Sequence, residues 1–295
     1  MRKAMGKGWS AVVAVFFAVS VVLLVSRICD DQKAAAANQA ARELITTTVP
    51  SAPESTPEPV AEADPPDAHP DPREVSELPD SPVPLKPIPA EKGNGLEPLS
   101  EESLFLLDLD LSALHQTSEH ALGWIYIPGT VVDYPLMAFD DNETGLHRAW
   151  DGSVSGAGCI FLECRNQRDF SDFNTLIYGH RIRKGTMFGS LKHYAEQEYL
   201  QSHSLIYIVT DDYVRRYEVF SAYEATVASD TYRLHFENDE RKQSVLDYYL
   251  SSSVVETGIT PTTDDRILTL STCTGRGSAT RRWVVQAVLT GEFEK

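Results

Sequence analysis

The chain is poor in cysteine, and most of its length is poor in proline. Four cysteines in 295 residues exclude a small domain that disulfides hold together. Of the 17 prolines, 14 lie between Pro50 and Pro98. Lys and Arg are also few, 26 against 43 Asp and Glu, and they form no basic block. Because nucleic-acid binding needs a basic face that displaces counterions from phosphates, we expect no nucleic-acid partner.

The proline-rich segment is also acidic and has little apolar surface to bury. Residues 51–98 contain 11 Asp or Glu against three Lys or Arg, a balance of −8 within a net charge of −17. Each proline lacks an N–H donor and fixes φ, and the segment has neither helical nor strand periodicity. We therefore interpret residues 30–98 as a disordered tether and residues 99–295 as one compact domain.

One long apolar run lies near the N-terminus. Residues 11–25 contain a single polar residue, Ser20, and with their flanks they are barely long enough for a membrane-spanning helix. Basic residues precede the run and two aspartates follow it, which favours a cytoplasmic N-terminus. Residues 1–29 are thus predicted to be a membrane anchor, with single-pass cell-membrane localisation and an extracellular domain. A signal peptide cleaved at residues 34–37 is the alternative.

The part beyond residue 98 is dominated by short runs of β-branched and aromatic residues. Eight such runs, separated by polar or Gly-containing turns, predict a mainly β domain, an eight-stranded barrel. They are WIYIPG, VVDYPLM, GCIFLEC, NTLIYGH, SLIYIVT, RRYEVFSAYEATV, RILTLSTC and RWVVQAVLTG. Helical patterns predict an N-terminal helix over residues 111–122, a helical stretch over 187–201, and a helix over 238–251 inserted before ILTLSTC.

Cys273 stands where the run ILTLSTC ends and the turn-forming stretch TGRGSATRR begins. Arg276, Arg281 and Arg282 lie within nine positions of it, and cationic neighbours favour a thiolate. A buried, inert cysteine is the alternative. A cysteine that attacks an amide also needs a proton donor for the leaving amine, a role that suits histidine. Of the eight histidines, His180 follows a strand-like run and a glycine, in NTLIYGH, and is the candidate.

These segments together resemble the sortases, in particular class B. The run NTLIYGHRIRKGTMFGSLKHY is followed by LTLSTC and RRWVVQAVL, and further matches extend over residues 124–289. The resemblance implies a sortase-type barrel with Cys273 as nucleophile and His180 as general acid and base. It also implies an arginine that stabilises the oxyanion. Of the adjacent Arg281 and Arg282, Arg282 directly precedes the apolar strand and is favoured.

The resemblance further implies a membrane-anchored cysteine transpeptidase of Gram-positive bacteria, a hydrolase and acyltransferase of the thiol-protease type. Its substrates would be secreted proteins with a C-terminal sorting motif, and its acceptor an amino group of a peptidoglycan precursor or a pilin. Ser271, Tyr248 and Tyr249 would bind the sorting motif, and neither cofactor nor metal is expected. A secreted cysteine peptidase or amidase, in which water resolves the thioester, and a non-catalytic wall-binding module are the alternatives.

Overall fold

The computed structural model describes residues 32–45, 98–182, 184–275 and 279–295. Within these ranges, eight strands form one closed barrel in the order β1-β2-β3-β4-β7-β8-β6-β5. The strands are β1 (Ala121–Tyr126), β2 (Asp133–Ala138), β3 (Ile160–Leu162), β4 (Asn174–Tyr178), β5 (Leu205–Val209), β6 (Tyr213–Thr226), β7 (Ile267–Cys273) and β8 (Arg281–Glu294). Each overlaps one of the eight runs read from the sequence, so the predicted mainly β barrel is confirmed.

Two parallel pairs occur in an otherwise antiparallel barrel. β2 pairs with β3 in parallel, and β4 pairs with β7 in parallel. The chain from β4 to β7 includes β5, β6, two α-helices and two 3₁₀ helices, a long connection of the kind that parallel pairing requires. Because parallel strands end at the same edge of a sheet, the carboxyl ends of β4 and β7 meet at one rim of the barrel, with Tyr178 opposite Ser271.

Helices lie on the outside of the barrel. The described residues contain α1 (32–45), α2 (Ser112–Thr117), α3 (Asn142–His147), α4 (Gln197–Ser202) and α5 (Asp239–Ser252). The longest of those after residue 98, α5, begins after Asn238, whose side chain accepts a hydrogen bond from the backbone N–H of Arg241 at 2.9 Å. The predicted helix between β6 and the strand of Cys273 is therefore confirmed.

The helix predicted over residues 111–122 is shorter than expected. α2 ends at Thr117, and β1 already begins at Ala121. Gly123 lies inside β1, where a Cβ would collide with the backbone carbonyl oxygen of Val209 on β5. The glycine therefore permits close approach of two strands and does not terminate the helix.

α1 lies inside the segment that the sequence indicates to be a tether. Its Ala41 and Ile45 are fully buried, and both belong to an apolar cluster on the barrel. Arg42 Nε also pairs with Asp133 Oδ2 at 3.2 Å. The tether interpretation is thus wrong for α1, because its alanine-rich sequence favours a helix with one face that the barrel buries. Residues 46–97 lie outside the described residues.

The predicted membrane localisation is corrected. In the part of the chain that the structure describes, no helix has both the length and the apolar character needed to cross a bilayer. The described helix nearest the N-terminus, α1, carries Lys33, Arg42 and Glu43 and packs against the barrel. This finding contradicts the prediction of a single-pass membrane protein with an extracellular domain. Residues 11–25, from which it was made, lie outside the described residues.

Candidate active site

Cys273 and His180 meet at the rim where β4 and β7 end. Cys273 is the last residue of β7, and His180 follows the end of β4 by two residues. The backbone N–H of Gly179 donates to the carbonyl oxygen of Ser271 at 3.2 Å and continues the parallel ladder past Tyr178. Two residues beyond the last pair, Tyr178 and Ser271, the two chain segments carry His180 and Cys273, and both of these residues are half-buried. The structure thus brings the predicted nucleophile and the predicted acid and base to one place.

Arg282 completes this arrangement from the neighbouring strand. It is the second residue of β8 and is the cross-strand partner of Cys273 in the antiparallel pair of β7 and β8. Cys273, His180 and Arg282 line one cavity of about 190 Å³, which we call the rim cavity. Directly opposed residues in an antiparallel pair project to the same face, so the guanidinium of Arg282 lies on the side of the sheet that carries the thiol.

The neighbouring Arg281 has a different environment. Its Nη1 pairs with Glu224 Oε1 on β6 at 2.6 Å, and 60% of its side chain is exposed. It does not line the rim cavity, whereas Arg282 does. Successive side chains on a strand point to opposite faces, which accounts for the separation. The geometry therefore favours Arg282 over Arg281 as the arginine of the site.

The hydrogen bond of His180 defines the state of its imidazole. Nε2 lies 3.0 Å from the carbonyl oxygen of Leu146 on α3. A carbonyl can only accept, so Nε2 carries a proton and Nδ1 is the nitrogen free to exchange one. Burial lowers the pKa of His180, the Leu146 carbonyl partly opposes this effect, and His147 and Arg282 lower the pKa further. The neutral imidazole is therefore favoured at neutral pH.

The three predicted substrate-binding residues lie in different places. Ser271 lines the rim cavity and is buried, with its hydroxyl 2.9 Å from the hydroxyl of Tyr232. Tyr249 lies on α5 and is fully buried, and its hydroxyl accepts a hydrogen bond from Asn174 Nδ2 at 3.2 Å. Tyr248 is half-buried and packs edge-on against the ring of Tyr223. Neither Tyr248 nor Tyr249 lines the rim cavity, because both belong to the apolar contact between α5 and the barrel.

Tyr232 is a neighbour of the site that the sequence did not reveal: its hydroxyl lies 2.9 Å from that of Ser271, which lines the rim cavity. It ends the short 3₁₀ helix Asp230–Tyr232 that precedes α5. Burial raises its pKa to about 12, while the Ser271 hydrogen bond and Arg282 lower it and Cys273 raises it. The surrounding letters SDTYRLHF have no strand or helix periodicity, so no sequence pattern marks the tyrosine.

The rim cavity combines a thiol, an imidazole and a guanidinium. These are the three groups that acyl transfer to and from a cysteine requires: a nucleophile, a proton carrier and a positive charge for the oxyanion. Within residues 32–45, 98–182, 184–275 and 279–295, no three His, Cys, Asp or Glu side chains are close enough to hold a metal ion. A closed β-barrel with a thiol, an imidazole and a guanidinium together at one rim fits the class of cysteine acyltransferases built on a β-barrel.

Known proteins share both the fold and the sequence pattern. A family profile described as the sortase domain matches residues 125–290. The chain is 32% identical over 173 residues to sortase B of Staphylococcus aureus, which covers 59% of this chain and 71% of that protein. It is also 32% identical over 183 residues to sortase B of Listeria monocytogenes, with 61% and 74% covered.

A solved structure gives the same relationship. The Staphylococcus aureus sortase B–substrate complex superposes with a TM-score of 0.58 at 32% identity, covering 61% of this chain and 83% of that one. The chain belongs to the sortase family, and its resemblance to class B is confirmed.

Proposed function

We propose that this sortase is a cysteine transpeptidase with Cys273 as nucleophile. It cleaves a C-terminal sorting motif of secreted proteins and joins the new carboxyl end to an amino group of a peptidoglycan precursor or a pilin. The observation that carries the proposal is the presence of Cys273, His180 and Arg282 in one cavity at the barrel rim. Similarity to sortase B of two bacteria supports it.

The first half-reaction forms a thioester. His180 Nδ1 takes the proton of the Cys273 thiol, and the sulfur attacks the scissile carbonyl carbon to form a C–S bond. The carbonyl oxygen becomes an oxyanion, which the guanidinium of Arg282 stabilises. When the tetrahedral intermediate collapses, the C–N bond breaks and protonated His180 gives its proton to the leaving amine. The acyl group remains on sulfur.

The second half-reaction transfers the acyl group to an amine. A neutral primary amine attacks the thioester carbonyl, and the oxyanion again lies against Arg282. Nδ1 of His180 removes the extra proton from the attacking nitrogen as the new C–N bond forms. The C–S bond then breaks, and the proton held by His180 returns to the Cys273 sulfur. The enzyme is restored, so the kinetics are ping-pong.

A peptide assay tests this function directly. The full-length chain is incubated with a library of sorting-motif peptides and several primary amines, and the products are identified by mass spectrometry. We expect an amide product, and a thioacyl adduct on Cys273 when amine is omitted. Cys273→Ala is expected to give neither. Hydrolysis product alone, at saturating concentrations of every amine, would instead assign the chain to the cysteine peptidases.

A further inference from the structure

A buried carboxylate lies directly behind the rim cavity. Glu163 follows the last residue of β3, and its backbone N–H donates to the carbonyl oxygen of Leu176 at 2.9 Å. Only 1% of its side chain is exposed. Burying a carboxylate is costly unless hydrogen-bond donors surround it, so its partners indicate its role.

Two of the partners of Glu163 belong to the wall of the rim cavity. Its Oε2 accepts hydrogen bonds from Asn142 Nδ2 at 2.9 Å and from the hydroxyl of Tyr178 at 3.0 Å, and both donors line the cavity. Its Oε1 accepts a hydrogen bond at 2.7 Å from Nε of Arg165, whose side chain is 65% exposed. Oε1 therefore faces the exposed side chain of Arg165, and Oε2 connects Asn142 and Tyr178 in the wall of the rim cavity.

These hydrogen-bond partners keep the carboxyl group of Glu163 ionised. Burial favours its neutral form, but the hydrogen bonds from Arg165, Asn142 and Tyr178 outweigh burial and hold the pKa of Glu163 below its usual value. Burial and the neighbouring Glu163 charge also raise the pKa of Tyr178, so its hydroxyl stays a donor. Glu163 is thus ionised at neutral pH and accepts the hydrogen bonds of both Asn142 and Tyr178.

Asn142 connects this carboxylate to His180. It is the first residue of α3, and its Oδ1 also accepts the backbone N–H of Cys164 at 2.9 Å. Near the other end of α3, the carbonyl oxygen of Leu146 lies 3.0 Å from Nε2 of His180. A helix of six residues has little stability of its own and depends on contacts at both ends. The carbonyl oxygens of Gly145 and His147 accept backbone N–H groups of Cys159 and Ser155, and the contacts of Asn142 hold the first turn.

We propose that Glu163 is a positioning residue for His180. By holding Asn142 and Tyr178, its carboxylate anchors the first turn of α3, so that the Leu146 carbonyl engages Nε2 and leaves Nδ1 to the substrate. Tyr178 adds a second connection, because it lies two residues before His180 on the same chain segment. The inference rests on the proposed function, since it assigns a role within the same site.

The test compares two substitutions of Glu163 in the full-length chain. In Glu163→Gln, the amide oxygen still accepts from Asn142 and Tyr178. The exposed side chain of Arg165 turns to solvent, and the only backbone bond lost is the long 3.4 Å one from the Arg165 N–H, so kcat should stay within about threefold of wild type. Glu163→Leu removes both acceptors at similar volume. We expect kcat to fall by about 10- to 100-fold, more than KM rises, because His180 is no longer held in place.

A second readout separates positioning from a general structural effect. The pKa of His180 is measured by NMR in the substrate-free chain, where the groups that face it are His147 on α3, Arg282 on β8 and Cys273 on β7. The Leu146 hydrogen bond favours the protonated ring, so its loss in Glu163→Leu should lower the pKa of His180. Glu163→Gln should leave that pKa unchanged.

Two further variants make the result decisive. Arg165→Ala removes the outward partner of Glu163 and should leave kcat and the pKa of His180 unchanged. Should Glu163→Leu fail to fold, as judged by circular dichroism, Asn142→Ala breaks the same connection, and the NMR readout carries the test. A folded Glu163→Leu or Asn142→Ala protein with the kcat and His180 pKa of wild type would overturn the inference. Wild-type chain that forms no thioacyl adduct would instead overturn the proposed function, while the pKa comparison still tests the connection.

Discussion

Arg281 and Arg282 are neighbours in sequence but face opposite sides of β8. Arg282 is the cross-strand partner of Cys273, while Arg281 pairs with Glu224 at the exposed surface. We predict that Arg282→Ala lowers kcat by about 10²- to 10³-fold, the usual loss when one oxyanion donor is removed. Arg281→Ala is the matched control. It should leave kcat near wild type and change stability by no more than about 1 kcal/mol, since exposed ion pairs contribute little. A larger kcat loss at Arg281, measured in the peptide assay, would reverse the assignment.

His180 makes the stability of the fold depend on pH. Burial, with the charges of His147 and Arg282, lowers its pKa in the folded chain, whereas its pKa in the unfolded chain is ordinary. At pH values between the folded and the unfolded pKa of His180, the unfolded chain binds more protons than the folded chain. The contribution of His180 to the free energy of unfolding therefore decreases as the pH falls through that window.

We therefore predict a specific difference between wild type and His180→Gln. Below the ordinary pKa of histidine, about 6.5, wild type should lose stability on acidification faster than the variant does. Above that pH the two slopes should agree. The measurement is urea denaturation of both chains from neutral to mildly acidic pH. Parallel curves throughout would show that the pKa of His180 is not lowered by folding.

At the scale of elements, sequence patterns predict strands better than helix ends. All eight strands and α5 follow from runs with a clear period. α2 is shorter than predicted because strand pairing with β2 extends β1 back to Ala121, which lies opposite Met137, and no local pattern encodes that partner. α1 was missed because its helical letters AAAANQAARELI adjoin a proline-rich segment, and the cluster that buries its face comes from distant parts of the chain.

α1 should contribute to the stability of the barrel through one face only. Ile45 is fully buried in the cluster that contains Trp124 and Val209, whereas 38% of the adjacent Leu44 is exposed. Ile45→Ala is therefore expected to lower the free energy of unfolding by about 2–4 kcal/mol, the usual cost of truncating a buried aliphatic side chain. Leu44→Ala should cost under about 1 kcal/mol. Urea denaturation of the full-length chain measures both, and equal costs would mean that α1 does not pack as described.

At the scale of the whole molecule, the site is assembled from segments that only the barrel brings together. Cys273 and Arg282 are close in sequence: the arginines that follow Cys273 drew attention to it, and the resemblance to the family favoured Arg282. His180 lies 93 positions before Cys273. Its place after a strand-like run and a glycine made it the candidate, and the resemblance to a family implied its role as general acid and base. Tyr232, Asn142 and Glu163 were missed for the same physical reason: their roles come from contacts across strands and helices and leave no period in the sequence.

One contact connects the strand of the nucleophile to the segment before α5. The hydroxyls of Ser271 and Tyr232 are 2.9 Å apart, although the residues are 39 positions apart in sequence. Because Ser271 lies two residues before Cys273 on the same face of β7, this bond ties the wall of the rim cavity to the inserted helix segment.

A double-mutant cycle tests whether this contact supports catalysis. Ser271→Ala and Tyr232→Phe each remove one hydroxyl and little volume. If the hydrogen bond holds the cavity wall in place, the second change adds little once the first is made. We expect the losses in kcat/KM to be non-additive, with a coupling of about 1 kcal/mol, close to the net value of one buried hydrogen bond. The four chains are compared with one sorting-motif peptide and one amine. Strictly additive losses would mean that the two hydroxyls act independently, and the contact would then have no part in shaping the site.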